Sequence, residues 1–227
     1  ERMKNARVIA NNPLMIRSTK ITEVDKDYPD IVQYLEVAKG EYGYKGVLVC
    51  NDSGVITVGT AGEAVGADVS QMDYFKQAIQ GNTSASNMIP SEIPLTNELG
   101  EKELGLPTMF VSTPLKDRDG VVIGVVAIRV DVNALNDLML SLNLGKTGET
   151  YLVNKDGVML TESRFAAHLK EMGLVKKRCA LSLKLVNSET GELNEGVKQC
   201  VAGNNGFDAR GYRDYSGLLV LGVWRWL

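Results

Sequence analysis

The sequence predicts an α+β fold of two tandem units, each an antiparallel sheet with flanking helices. Three observations predict it. The first is a repeated strand–turn–strand signature. Val47-Leu48-Val49-Cys50-Asn51-Asp52-Ser53-Gly54-Val55-Ile56-Thr57 returns roughly a hundred residues later as Thr150-Tyr151-Leu152-Val153-Asn154-Lys155-Asp156-Gly157-Val158-Met159-Leu160. The second is another repeated turn, Asp117-Arg118-Asp119-Gly120 before Val121-Val122-Ile123, matched by Asp214-Tyr215-Ser216-Gly217 before Leu218-Leu219-Val220 at a similar offset. Glycine belongs in such turns because tight hairpins need positive φ. The third is size and composition: 227 residues with 44% hydrophobic and 23% charged side chains describe a folded chain with room for one large domain or two small ones. Duplication of one unit explains both pairs, and coincidence between generic hairpins is the competing account.

The elements follow in order. Residues 1–20 form an N-terminal helical region, with Met3, Ala6, Val8, Ile9 and Ala10 among polar residues and a stop near Pro13. The first unit covers residues 21–131. Pro29-Asp30 opens a helix carrying Ile31, Tyr34, Leu35 and Ala38 at i, i+3, i+4 and i+7, with Gly40 or Gly43 as its end. After the first hairpin, Met72 to Ile79 is a short helix ended by Gly81, and Thr83 to Ile89 is a strand. Ser91 to Leu106 is an exposed polar loop with Glu92, Glu98, Glu101 and Glu103. Thr108 to Leu115 is a strand with Met109 and Val111 on one face, Phe110 and Ser112 on the other. Val121 to Val132 is nearly unbroken in apolar character, hence central in its sheet. Residues 132–143 form a connecting helix with Leu135, Leu138, Met139 and Leu142 on one face, and residues 144–227 make the second unit.

Several function classes are disfavoured at once. A net charge of −3 lacks the basic excess of a nucleic-acid surface. No run approaches the ~20 apolar residues of a membrane span, and no signal peptide opens the chain. Cys50, Cys179 and Cys200 form no CxxC pair, so no metal site or cofactor is expected. Cys50 reads as a buried strand residue; Cys179 and Cys200 are either packed thiols or a pair. His168, the one histidine, sits on a helix surface and makes a poor catalytic base. The loop carboxylates are the best feature an enzyme would have, and they lack a pocket signature.

Taken together, four stretches resemble the double Cache family of extracytoplasmic sensor domains. They are Gly66-Ala67-Asp68-Val69-Ser70-Gln71-Met72-Asp73-Tyr74-Phe75-Lys76-Gln77-Ala78; Val111-Ser112-Thr113-Pro114-Leu115 with Asp119-Gly120-Val121-Val122-Ile123-Gly124-Val125-Val126; Leu144-Gly145-Lys146-Thr147-Gly148-Glu149-Thr150-Tyr151-Leu152-Val153; and Asp214-Tyr215-Ser216-Gly217 leading to Trp224-Arg225-Trp226. The resemblance covers nearly the whole chain. It implies two tandem PAS-like modules on a long N-terminal helix, membrane-distal over 21–131 and membrane-proximal over 144–227, the latter ending a little short. It further implies a membrane-anchored parent receptor with a histidine kinase, chemoreceptor or cyclase output. A parallel homodimer through the N-terminal helices is also implied, for which Ala6, Ile9 and Ala10 offer an apolar strip.

The same resemblance places a small-molecule ligand in the distal module, between sheet and short helix. The amino-acid-binding branch carries an Arg, a Trp-Tyr pair and an Asp there. Here those positions hold Met72, Tyr74 and Phe75, and Arg129, which argues against an α-amino acid. Alternation places Ala127, Arg129 and Asp131 on one sheet face and Val126, Ile128 and Val130 on the other. A guanidinium on a buried strand needs a partner, and a carboxylate ligand matches its fork. Pairing with Asp131, Asp73 or a loop glutamate, or a solvated edge, would satisfy it equally. Tyr74 and Phe75 either wall a pocket or pack the helix, and Met72 reads as packing. Ser86, Asn87, Met88 and Ser112 are further lining candidates, and Trp224 and Trp226 fill the proximal core or face the membrane side. The expected function is ligand sensing without catalysis in this chain. A structural or dimerisation module with no ligand of its own is the alternative, and a hydrolase using loop carboxylates is the more remote one.

Overall fold

The computed structural model describes residues 1–97, 99–142 and 144–227. Glu98 of the expected acidic loop and Asn143, the expected end of the connecting helix, lie outside them. The chain divides into two units, Glu1–Val132 and Asn133–Leu227.

In the first unit, α1 (Arg2–Ala10) and α2 (Leu14–Ser18) are separated where Pro13, lacking an N–H, caps the second helix. Helix α3 (Tyr28–Tyr42) has Pro29 in its first turn and ends at Gly43, whose φ of 67° gives the left-handed C-cap; Gly40 remains helical. Strands β1 (Gly46–Asn51) and β2 (Ile56–Gly59) form the first hairpin. Helix α4 (Asp73–Ile79) follows, then β3 (Ser84–Ala85), β4 (Ile89–Pro90), β5 (Leu95–Thr96), β6 (Lys102–Glu103), β7 (Pro107–Lys116) and β8 (Val122–Val130). The main sheet runs β2-β1-β8-β7-β3, antiparallel throughout, with β4 also on β7. Two expectations need correction. The strand foreseen over Thr83–Ile89 is broken into β3 and β4 because Ser86 folds out of line: its Oγ donates to the Asn87 carbonyl and accepts from Phe110 N–H. The loop Ser91–Leu106 contains the small β5–β6 hairpin, pinned by buried Leu95.

Strand β8 lies between β1 and β7 and is buried on both faces. Val126, Ile128 and Val130, with Val47, Val49 and Val111, face Ala6, Ile9, Met15, Ile31 and Leu35 of the N-terminal helices. Val125 and Ala127, with Leu48, Cys50 and Phe110, face Tyr74, Phe75 and Ala78. Each fully buried Ile or Leu contributes about 1.5–3 kcal/mol relative to exposure. The strip Ala6, Ile9 and Ala10, expected to serve a homodimer, is spent inside this core: the three are 0%, 0% and 7% exposed.

In the second unit, α5 (Asn133–Ser141) has no fully buried residue, so its apolar face does not enter a core. The expected hairpin over Thr150–Leu160 forms as a turn closed by one bridge, Val153 to Met159, rather than two extended strands. Helices α6 (Ala166–Glu171) and α7 (Glu195–Val201) and the hairpin β9 (Gly206–Arg213) and β10 (Leu219–Trp224) follow. Leu169, Cys179, Leu185, Val197 and Tyr215 form the core around Met159. Two of the motif segments meet here: Glu149 accepts from Tyr215 Oη and from Ser163 Oγ at 2.7 Å. Arg164 closes the neighbouring loop by donating to the carbonyls of Gly145 and Gly148. Trp224 packs edge-on to Tyr212, while Trp226 is 41% exposed. His168 is exposed on α6 beside Glu171. All three cysteines are free thiols, so Cys179 and Cys200 are not bridged, and burial pushes Cys50 up to about 12.

The repeated turns share one chemistry. Asn51, Asp117, Asn154 and Asp214 each accept, on Oδ1, the backbone N–H groups two and four residues on. Glycine follows three residues later, with φ of 88°, 82°, 77° and 82° at Gly54, Gly120, Gly157 and Gly217. Asn97, with Gly100, makes the same turn between β5 and β6, outside the paired positions. The signature therefore reports an Asx-Gly hairpin, a local device that recurs wherever two strands reverse.

Gly124 on β8 tests the double burial. A Cβ there would press on the Cys50 carbonyl and lie 2.7 Å from Thr19 Cγ2. Gly124→Ala should lower stability by about 3 kcal/mol. In urea melts that is a lower midpoint with an unchanged m-value.

Candidate functional site

The site face belongs to the first unit. On β7, alternation aligns Thr108, Phe110 and Ser112 toward α4; on β8 it aligns Val125, Ala127 and Arg129. Phe110 and Arg129 are directly paired across the two strands. The Tyr74 ring stacks on Phe110, with centroids 4.5 Å apart. On the other side of Arg129, β1 presents Gly46; a Cβ there would meet Arg129 Nε at 3.5 Å. That is ordinary contact, so the guanidinium lies beside β1 with room for no more than a methyl group between them.

Arg129 is half-buried, and its Nη2 donates to the Lys45 carbonyl at 2.8 Å. It has no ion pair among the described residues. Asp131, two residues on, pairs with Lys45 at 3.0 Å instead. Burial holds the Arg129 pKa below its ordinary value, and the charge of Asp131 partly restores it. Among the described residues, the Lys45 carbonyl is the one acceptor that the five guanidinium N–H donors of Arg129 meet. One more polar group on this face lacks a partner: Thr108 Oγ1 is buried with no hydrogen bond among the described residues. In the register it stands two residues from Phe110, diagonal to Arg129. Thr108 was not among the residues the sequence singled out. Its signal was its place in alternation with Phe110 and Ser112, but only the fold shows that its hydroxyl is shut away from water.

The other sequence candidates are placed as follows. Tyr74 and Phe75 are 3% and 4% exposed and pack α4 onto the sheet. Met72 caps the start of α4 and touches the same cluster, half-buried. Ser112 is fully buried and its Oγ donates to the Tyr74 carbonyl at 2.7 Å, so its hydroxyl fastens α4. Ser86 Oγ is committed to the backbone at the β3–β4 break. Met88 is half-buried beside it and Asn87 is exposed. Of the loop carboxylates, Glu103 accepts from Asn97 Nδ2, while Glu92 and Glu101 are exposed. No metal-binding cluster occurs among the described residues.

The first unit is a helix-backed antiparallel sheet of PAS-like form. A Cache domain family model, dCache_1, matches residues 2–215, and the chain belongs to the double Cache family, the sensor domains of histidine kinases and chemoreceptors. The sensor domain of the Vibrio cholerae histidine kinase DctB has a similar fold, with TM-score 0.53, 11% identity, and 92% of this chain and 75% of that chain covered. The periplasmic sensory domain of the Campylobacter jejuni chemoreceptor Tlp1 gives 0.51 at 14% identity, covering 97% and 80%. An extracellular ligand-binding receptor from Desulfohalobium retbaense gives 0.51 at 16%, covering 78% of this chain and 31% of that one. No curated protein is significantly similar in sequence. Among the described residues no helix is long and apolar enough to cross a membrane.

The buried tyrosine gives the site face a pH signature. Burial raises the Tyr74 pKa far above its ordinary 10, with Cys50 and Glu92 adding to the effect. The unfolded chain ionises this phenol near pH 10 while the folded chain keeps it protonated, so folding is favoured fully below that pH and less as pH rises above it. Urea midpoints should fall between pH 9 and 11 (about the tyrosine range), and Tyr74→Phe should flatten part of that fall.

Proposed function

We propose that the first unit is the membrane-distal, ligand-binding module of an extracytoplasmic receptor domain, and that its ligand is a small carboxylate held by Arg129. One observation carries this reading: a half-buried guanidinium with a single backbone acceptor shares a sheet face with the buried, unpartnered Thr108 hydroxyl. A carboxylate would take two parallel N–H bonds from Arg129 and the hydroxyl proton of Thr108, satisfying both. Tyr74, Phe110 and Met88 would bound its apolar part. Asp131 is held by Lys45, which leaves Arg129 as the charged group on the strands' own face and makes a carboxylate the matching ligand end.

Binding would stabilise one arrangement of α4 on the sheet and pass a small helix displacement to the output. Family membership supports a parent receptor anchored in the membrane, with this chain on the outer side and a histidine kinase as output; a chemoreceptor is the next candidate. A structural module without ligand is the second reading, favoured by the close Tyr74–Phe110 stack.

Thermal melting with acetate, propionate, succinate and benzoate, each at millimolar concentration, tests the proposal. At least one should raise the melting temperature of the natural chain. Arg129→Ala should abolish that rise, and Thr108→Val should weaken affinity about tenfold, the loss of one hydrogen bond to a charged ligand. A full rise retained in Arg129→Ala refutes the site, and no rise with any acid supports the structural module.

A further inference from the structure

A second concave site lies on the first unit, away from α4. A groove of about 490 Å³ opens where α2, the loop before α3 and the β7–β8 hairpin meet. That volume is within the ~300–1,000 Å³ range of small-molecule sites. Its apolar lining is Ile16, Ile21 and Ile123. Ile21 is buried, and Ile123 is half-buried against the helix-side core.

The charged rim is unevenly used. Arg17 is paired with Asp27 at 2.8 Å. Asp25 accepts from the Thr22 N–H and hydroxyl at 2.7 and 2.8 Å, and this pair of hydrogen bonds shapes the loop. Asp117 accepts from the N–H groups of Asp119 and Val121, which sets the β7–β8 turn. Lys20 and Lys26 line the groove, and neither ammonium has a hydrogen bond or ion pair among the described residues. The carboxylates and Arg17 hold the groove in shape, and the two ammonium groups are its cations without an ion-pair partner among the described residues. The bonds at Thr22, Asp27 and Asp117 fix the loops beforehand, so a ligand would meet a site with little left to order.

We infer that this groove is a second ligand site, taking a small organic anion with an apolar body. The anionic end lies at Lys20 and Lys26, and the body covers Ile16, Ile21 and Ile123. Lysine contributes a compact charge on an apolar stem, which suits a single carboxylate or sulfonate rather than a planar fork. The inference does not rest on Arg129, whose face lies on the other side of the sheet.

The test is an NMR titration of the isotopically labelled 227-residue chain carrying Arg129→Ala, which removes the other proposed site. Benzoate is the probe, and the amide signals of residues 16–27 and 117–123 are the readout. Saturable shifts there, with a dissociation constant of about 1 mM or tighter, support the site. Adding Lys20→Gln and Lys26→Gln should weaken binding at least tenfold while signals elsewhere stay in place, showing an intact fold. Absence of saturable shifts overturns the inference, as does unchanged affinity in the lysine variant. Equal binding of benzylamine overturns the anion preference, and equal binding of inorganic phosphate overturns the role of the isoleucines.

Discussion

Strand β8 is hydrogen-bonded on both edges and packed on both faces, and the first unit is arranged around it. The β1 and β7 ladders take up its backbone groups, so its polar main chain costs nothing in the interior. Its side chains then divide between two cores: Val126, Ile128 and Val130 toward the N-terminal helices, Val125 and Ala127 toward α4. The side nearer α4 is thinned by Ala127, which brings helix and sheet close. Ser112 fastens that approach through the Tyr74 carbonyl. A helix so held can register a small change beneath it, because packed interfaces tend to occupy discrete arrangements.

Arg129 sits where this regime ends. One pair earlier along β8, Ala127 is fully buried; at Arg129 the sheet opens enough to keep a charge half-hydrated. Its neighbours make the position permissive. Gly46 clears one side, the Phe110 ring bounds the other, and Lys45 removes Asp131 as a competitor. The same residue deeper in the strand would have required a fixed internal partner.

The second unit is built differently. Much of its first half is loops and single bridges, held by polar anchors: Glu149 with Tyr215 and Ser163, Glu162 with the Cys179 and Ala180 N–H groups, and Arg164 on two carbonyls. The Gly-Glu segment and the Asp-Tyr-Ser-Gly segment, far apart in sequence, are therefore one structural feature. They tie loops together that a modest apolar core alone would hold less firmly.

The sequence by itself determined the antiparallel α+β class, a helix opening at Pro29 with its end at Gly40 or Gly43, the alternation of Met109 to Ser112 and of Val126 to Asp131, and the hairpin turns. These are local: period-two and helical alternation and Asx-Gly chemistry act within a few residues. Arg129 was legible for the same reason, as a charge in an apolar run. What the tertiary structure decided depends on distant partners. It consumed the Ala6, Ile9 and Ala10 strip in the core, committed Ser86 and Ser112 to the backbone, and broke one expected strand in two. It also left Thr108 buried without a partner and gathered the groove at Lys20 and Lys26 from three separate segments. Whether a hydroxyl or an ammonium is satisfied is a property of what packs around it, and no spacing along the chain encodes that.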